Sequence, residues 1–473
     1  MAVSVPVNSS NLQAPDAANA YFMSRYPGYS LVSYRNNEET QSLGVLVLKP
    51  LLDGVICPNC GAYCNRWKDR DRKLYINDWD IASGSPIKVV VPSRRLRCRC
   101  GCTKTEERPQ WVLPGHLISK QLGAFVQKLL RHRISIEDVS RITGLDWALI
   151  KELDKAALQL AHGGQKDLSR VQRLAIDEIS IHKGHKYATV VMDLDDRAII
   201  HVVEGKRQVD LQPFFDRLKE LGVDKQIRSV SVDMNAAYPK LVKDNLPSAK
   251  LAYDRFHVMR LLNKQILAAA RVFSVKKAVL AYRSLLSAKE RKRPEHKKAK
   301  AVALETVRNA EWLVITDPQL LSPGRQERLR QLRENNQLFA DLYAFTAKLK
   351  AVWTACTEQS ALHMLNECIE LCEAIADDHG FDDIRKFGKL LSRRADGIAA
   401  ACVVRFGTNM LEGANNTAKV IKRVAYGFRD FEYFALKLMG AFPGIRYKHL
   451  RVKQGWELVW NGIRETLAFP HYS

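Results

Sequence analysis

The spacing of apolar residues along the chain changes several times, and each change predicts a different kind of structure. From Leu122 the spacing is helical, with Leu122, Phe125, Val126, Leu129 and Leu130 on one stripe. The stretch SIEDVSRITGLDWALIKELDKAAL that follows predicts two short helices. Ser135 caps the first, with Val139 and Ile142 inward, and Gly144 breaks it. Asp146 caps the second, with Ile150 and Leu153 inward. Short helix, glycine turn and second helix form the pattern of a helix-turn-helix DNA-binding unit, and an ordinary helical hairpin fits the same pattern. As a DNA-binding unit it offers Trp147, Lys151 and Lys155 to a groove and its phosphates.

From Arg173 the period drops to two. RLAIDEISI, KYATVVMDL and RAIIHVVEGK predict a three-stranded antiparallel meander, with a turn at Asp195-Asp196. A helix over 210–221 leads to a fourth strand, SVSVDM, and a helix over 236–246 leads to a fifth, KLAYDRF. The crossover helix makes the fourth strand parallel to the first. Asp177 in the first strand and Asp233 at the end of the fourth then lie side by side. Two carboxylates so placed repel, and a divalent metal with oxygen ligands is the natural relief. Glu178, next to Asp177, faces the other side of the strand. Helical spacing returns over 258–288, 299–313, 325–352, 359–378 and 383–403, which reads as an all-α insertion domain. The run ERKRPEHKKAK at 290–300 reads as an exposed loop.

Composition sets the setting for this chemistry. The 473 residues carry 74 Lys+Arg against 51 Asp+Glu, a net charge of +23, which favours a polyanionic partner. The 46% hydrophobic and 26% charged content is that of a globular chain. No apolar run is long enough for a membrane span, and the N-terminus lacks a basic segment followed by an apolar one, so a cytoplasmic, nucleoid-associated protein with no membrane partner is expected. No P-loop or dinucleotide fingerprint is present, so no nucleotide cofactor is expected.

Six of the ten cysteines fall between Cys57 and Cys102. A C-x-x-C followed by a second tight cluster predicts a structural zinc in a zinc-ribbon-like domain. Cys57 and Cys60 form the first pair. The second is Cys98 with Cys102, or with Cys100 in its place. Arg94, Arg95, Arg97 and Arg99 of the same segment are candidate DNA contacts. Strands are expected at 88–91 and 94–97.

The blocks IDEISIHKGHKYATVVMDLD, SVDMNAAY, YDRFHV and TNMLEGANNTAKVIKRVAYGFRDFEYF resemble, in that order, the bacterial insertion-sequence transposases of the IS-L-three group. The resemblance runs from the cysteine cluster to about Phe434. It implies a ribonuclease-H-like catalytic core and an Asp-Asp-Glu triad, here Asp177, Asp233 and Glu412, holding two magnesium or manganese ions. Asn409 with Glu412 is also a capping-box signature, but Gly413, Asn415 and Asn416 are poor helix residues just where this carboxylate stands. Spacing by three and four sets Asn416, Lys419 and Arg423 along the face of Glu412, available to DNA. Lys183 and His185, in a Lys-Gly-His turn, are further candidate DNA contacts.

The fold class expected is thus α/β plus α: a ribonuclease-H-like core split by an all-α insertion and preceded by a zinc ribbon and a helix-turn-helix. The boundaries are an N-terminal segment 1–50, zinc ribbon 51–115, helix-turn-helix 116–165, catalytic core 170–258, insertion 259–404, and the last part of the core 405–473. The function implied is metal-dependent cleavage and strand transfer of DNA, on the element's terminal inverted repeats and a target, by a homodimer on DNA. The alternative is a DNA-binding regulator that has lost catalysis and uses only the first two modules.

Overall fold

The computed structural model describes residues 22–37, 42–80, 83–164, 166–182, 186–234, 237–284, 295–404 and 409–445. These fall into two compact units. One comprises residues up to 164 together with 420–436, and the other comprises 165–419 with 437–449.

The first unit opens with a four-stranded sheet, β1 (Tyr29–Asn37), β2 (Ser42–Pro50), β6 (Lys73–Asp80) and β7 (Ser85–Pro92), in the order β1-β2-β7-β6. The β2–β7 pair is parallel and the other two pairs are antiparallel. Strands from the 1–50 segment therefore share a sheet with strands from the stretch read as zinc ribbon. Leu46, Leu48, Ile76, Val89 and Val91 close its core against Tyr26 and Trp111. Between β2 and β6 lie the short strands β3 (Val55–Ile56), β4 (Tyr63–Cys64) and β5 (Trp67–Asp69), and β8 (Arg95–Leu96) follows β7. β3 pairs with β4, and β5 with β8. The strand expected at 88–91 thus belongs to the larger sheet, while the one expected at 94–97 is the two-residue β8.

Three helices follow, Lys120–Arg131, Ile136–Thr143 and Trp147–Leu158. Their ends are set by the residues the sequence singled out. Ser135 accepts from the Asp138 N–H, and Asp146 accepts from Ala148 and Leu149. Gly144 ends the middle helix at φ +68°, in the left-handed region where a side chain would be strained. Leu122, Val126, Val139, Leu145 and Ile150 form the core of this three-helix unit.

The second unit is built on a five-stranded sheet of β9 (Arg173–His182), β10 (Lys186–Asp193), β11 (Ala198–Glu204), β12 (Ser229–Val232) and β13 (Lys250–Tyr253), in the order β11-β10-β9-β12-β13. β9, β10 and β11 are antiparallel neighbours, and β12 runs parallel to both β9 and β13. Helices Gln208–Glu220 and Ala237–Asn245 make the crossovers; Phe214, Phe215 and Leu218 of the first are buried in the core that includes the sheet.

Among the described residues of 268–404 lie eight α-helices: Ala268–Ser284, Glu295–Thr306, Ala310–Ile315, Pro323–Asn335, Gln337–Val352, Glu358–His379, Asp382–Arg393 and Ala395–Val404. Leu313, Leu321 and Leu329 form a small cluster of their own, and most of the other buried residues share a core with the sheet. Phe339, Phe345, Leu365 and Phe387 belong to the same continuous cluster as Leu174, Val230 and Tyr253 of the sheet. One close approach is at Gly397, where an added Cβ would lie 2.5 Å from the Tyr253 ring. Of the 290–300 run, the part from Glu295 is helical and the part before it lies outside the described residues. No helix among the described residues is long and apolar enough to cross a membrane.

Candidate functional site

Two sets of side chains have the chemistry of metal sites. The first is the thiol cluster. Two matching turns build it. In one, the Cys57 N–H donates to the Ala62 carbonyl and the Gly61 N–H to Cys57; in the other, the Cys98 N–H donates to Cys102 and the Gly101 N–H to Cys98. Gly61 and Gly101 both adopt positive φ, +70° and +86°, which lets each turn close tightly. Cys57, Cys60, Cys98 and Cys100 then converge, with all four sulfurs within 4.8 Å of one another. Two of the separations are 3.7 Å (Cys57–Cys100) and 3.6 Å (Cys60–Cys98). With Zn–S bonds of ~2.3 Å, the edge of a tetrahedron is about 3.8 Å, so the donor set and its spacing fit zinc.

The fourth thiol is thus Cys100, and Cys102 packs beside the group as a partly buried residue of its small core. Cys64, also buried there, donates to the Arg97 carbonyl. Backbone N–H groups of Asn59 and Cys60 hold the Cys57 thiol down to about 6. This favours the thiolate, the form that binds metal.

The second set lies where β12 and β13 end beside the middle of β9. Ser231 pairs with Ala175, and two residues further along each strand stand Asp233 and Asp177. Val232 pairs with Tyr253, so Asp254 follows on the next strand. Asp177 is only 7% exposed. Its Oδ1 accepts from the Glu178 N–H at 2.8 Å and its Oδ2 from Asn415 Nδ2 at 2.6 Å. Asp254 is buried and caps the helix Arg255–Leu261 by accepting from Phe256. One turn into that helix, His257 is buried with Nδ1 3.0 Å from Asp233 Oδ1, at ion-pair distance but off the line of a hydrogen bond.

These environments separate the three aspartates. Burial pushes Asp177 above the usual carboxylate range, and the pull of His257 and its two hydrogen bonds only partly offsets this. Asp254 is raised for the same reason, chiefly burial. At Asp233 burial also pushes up, but His257, the Met234 N–H and Arg260 together outweigh it and hold the carboxyl below its usual range. For His257, burial favours the neutral ring, yet Asp233, Asp177 and Asp254 together raise it. Glu178 does not share the site's donors: half-buried, it is paired with Tyr238, whose hydroxyl lies 3.1 Å from Thr189 Oγ1.

Glu412 lies in the first turn of the helix Asn409–Val424 and is exposed. Among the described residues, Asp177, Asp233 and Glu412 are not gathered as closely as the thiols. What joins that helix to Asp177 is Asn415, which the sequence reading passed over in favour of Asn416. Asn416 is exposed and accepts from Lys419, and Arg423 is exposed.

The cationic candidates divide. Arg94 is buried, paired through two nitrogens with Glu106 at 2.6 and 2.8 Å and stacked 4.2 Å over the Trp67 ring, so it holds the fold together. Arg97 and Arg99 are exposed, and Arg95 is intermediate. Trp147 is 47% exposed. Lys151 and Lys155 reach Asp430 at 3.2 and 3.1 Å, and Lys155 also reaches Glu432 at 2.7 Å. Beside them the Tyr433 hydroxyl donates to the buried Asp154. Both lysines are therefore internally paired rather than left for phosphate. These partners lie about 275 positions further along the chain, beyond the reach of local spacing. Lys183 and His185 lie outside the described residues.

A family model described as transposase, of the ISL3 group, matches residues 174–438. The transposase for insertion sequence element IS1001 of Bordetella parapertussis is 30% identical over 424 residues, 89% of this chain and 96% of that protein. The transposase for insertion sequence element IS1557 of Mycobacterium tuberculosis is 23% identical over 335 residues, 68% of this chain and 70% of that protein. Among solved structures, the Drosophila P element transposase strand transfer complex aligns with a TM-score of 0.37 and 10% identity, over 71% of this chain and 92% of that one, too remote to bear on fold or chemistry. The family match contains the aspartate cluster and the Asn415 helix, and the Bordetella relative runs nearly end to end with this chain, so the protein belongs to the ISL3 family of insertion-sequence transposases.

Proposed function

We propose that this transposase cuts DNA at the terminal inverted repeats of its own element and joins the ends to target DNA, using Asp177, Asp233 and Glu412 as the ligands of divalent cations. The observation that carries this reading is the placement of Asp177 and Asp233 at matching positions along adjacent parallel strands, Asp177 buried and hydrogen-bonded to Asn415 of the Asn409–Val424 helix, Asp233 partly exposed. The five-stranded order, a meander followed by two parallel strands, supports a ribonuclease-H-like core.

Carboxylate oxygens are hard donors and suit magnesium or manganese. Bound there, two such ions would supply Lewis-acid stabilisation of the attacking and leaving oxygens of a phosphodiester. The chain's own residues prepare that site. His257 and the Met234 N–H keep Asp233 ionised, while the Glu178 N–H and Asn415 fix both oxygens of Asp177 in one orientation. Glu412, exposed at the start of its helix, is the third proposed ligand.

The four thiols hold a structural zinc that joins the two turns of the first unit. Arg97, Arg99, Trp147, Lys419 and Arg423 supply the exposed cationic and aromatic contacts to DNA. A homodimer on DNA follows from chemistry at two ends of one element, which requires two sites held together by a symmetric assembly.

The test is cleavage of duplexes bearing the element's own ends, with magnesium or manganese, by the parent and by Asp177→Ala, Asp233→Ala and Glu412→Ala. Parent cleavage lost in all three supports the site. Cleavage retained in all three rejects it, and binding without cleavage by the parent favours the regulator.

A further inference from the structure

We propose that Asn415 is a positioning residue that keys the Glu412 helix to Asp177, so that cation binding by the carboxylates depends on this neutral amide. The inference rests on the carboxylate reading above and adds a residue to it.

A carboxylate offers about four lone-pair directions on its two oxygens. At Asp177 one on each oxygen is taken, by the Glu178 N–H at 2.8 Å and by Asn415 Nδ2 at 2.6 Å. The side chain is thereby locked in orientation, and lone pairs remain for a cation. The partner's chemistry matters. A lysine or arginine at 415 would neutralise Asp177 and compete with a metal ion. An apolar residue would leave one carboxylate oxygen of Asp177, a residue only 7% exposed, without its donor. An amide orients the ligand while leaving its charge available.

The position matters as well. Asn415 stands three residues after Glu412, so the two share a side of the helix about 4.5 Å apart along its axis. Ala414 and Ala418, 1% and 0% exposed, are the buried residues on either side of Asn415 in this helix. Small residues there let the helix backbone lie close, and the only hydrogen bond from this helix to Asp177 among those described comes from Asn415. Glu412 is exposed, and no hydrogen bond from it to Asp177 or Asp233 occurs among the described residues. The register in which it faces the aspartates is therefore set one turn downstream.

The experiment uses the full-length protein without DNA, titrated with Mn²⁺ and read by thermal unfolding and by calorimetry. The parent is expected to gain stability with Mn²⁺, and Asp177→Asn to lose that response. Asn415→Ala is expected to move the Mn²⁺ midpoint upward by about tenfold or more, the usual effect of removing a group that orients a metal ligand. Asn415→Ser, which keeps a donor, is expected to recover part of the shift. Asn415→Asp adds a carboxylate against Asp177 and should melt earlier in chelator than the parent but regain stability with Mn²⁺. A lower melting temperature in Asn415→Ala with an unchanged Mn²⁺ midpoint would mean packing only and overturns the proposal. An unchanged midpoint with unchanged melting overturns it equally. Absence of any Mn²⁺ response in the parent, or its persistence in Asp177→Asn, instead overturns the carboxylate reading on which the proposal rests.

Discussion

The thiol cluster and the aspartate cluster assemble in opposite ways. The four sulfurs come from two short turns, Cys57–Gly61 and Cys98–Gly101, and each turn is closed by its own backbone bonds and a glycine at positive φ. The carboxylate site draws Asp177 from the middle of β9, Asp233 and Asp254 from the ends of two other strands, and Asn415 from a helix 238 positions away. In the first, local geometry sets ligand spacing at the edge of a zinc tetrahedron. In the second, burial and hydrogen-bond partners set the charge and orientation of each carboxylate separately. The local site is expected to depend on bound metal for its stability, whereas a site built across a sheet is held in place by the fold.

The largest effect should come from the local site. Zinc contributes on the order of 10–16 kcal/mol of apparent binding energy in isolated zinc modules. Metal analysis should find one zinc per chain, lost in Cys57→Ser and Cys100→Ser and kept in Cys102→Ser. Retention by Cys100→Ser with loss by Cys102→Ser would reverse the ligand assignment.

The arginines beside the thiols should split. Arg94→Ala leaves the Glu106 carboxylate unpaired and is expected to cost about 3–5 kcal/mol in denaturant melts. Arg99→Gln, on an exposed side chain, should change stability by less than about 0.5 kcal/mol and lower the salt slope of DNA binding by about one. Equal effects on stability would erase the distinction between a buried tie and a DNA contact.

On the sheet side, Gly397→Ala places a methyl 2.5 Å from the Tyr253 ring, immediately before Asp254. A loss of about 1–3 kcal/mol is expected. A neutral result would show that the Ala395–Val404 helix does not hold that strand end.

The last effect concerns pH. His201 on β11 is held down to about 4 by burial, with Arg217 adding to it, against an ordinary value of 6.5. Its neutral form is the folded one, so the unfolded chain binds the extra proton. Stability from this residue is full above about 6.5 and declines as pH falls toward about 4. His201→Asn should flatten that part of the stability profile, and an unchanged slope would place the titrating group elsewhere.

Much of this was legible in the sequence where the physics is local. Ser135, Gly144 and Asp146 mark helix ends by capping and backbone conformation, and Cys57 with Cys60 mark a turn. The meander was legible because β9 and β10 alternate or run apolar between clear turns. The β1–β2 pair was not, because Leu31, Val32 and Tyr34 on consecutive or alternate positions of β1 are all exposed, so no inward face stands out. Cys100 and Cys102 flank the same glycine, and only the closed turn selects between them. Asn415 and Asn416 are adjacent amides, and counting by four from Glu412 selects the exposed one. Lys151 and Lys155 looked free because Asp430 and Glu432 meet them only through the fold.

The central claim is that Asp177 and Asp233 are ligands of the cation that acts on DNA, and replacing one oxygen donor by sulfur tests it most directly. Asp233→Cys should cleave the element's own end poorly in Mg²⁺, by more than about a hundredfold, and recover in the more thiophilic Mn²⁺ or Cd²⁺. Full cleavage by Asp233→Cys in Mg²⁺ would contradict the account.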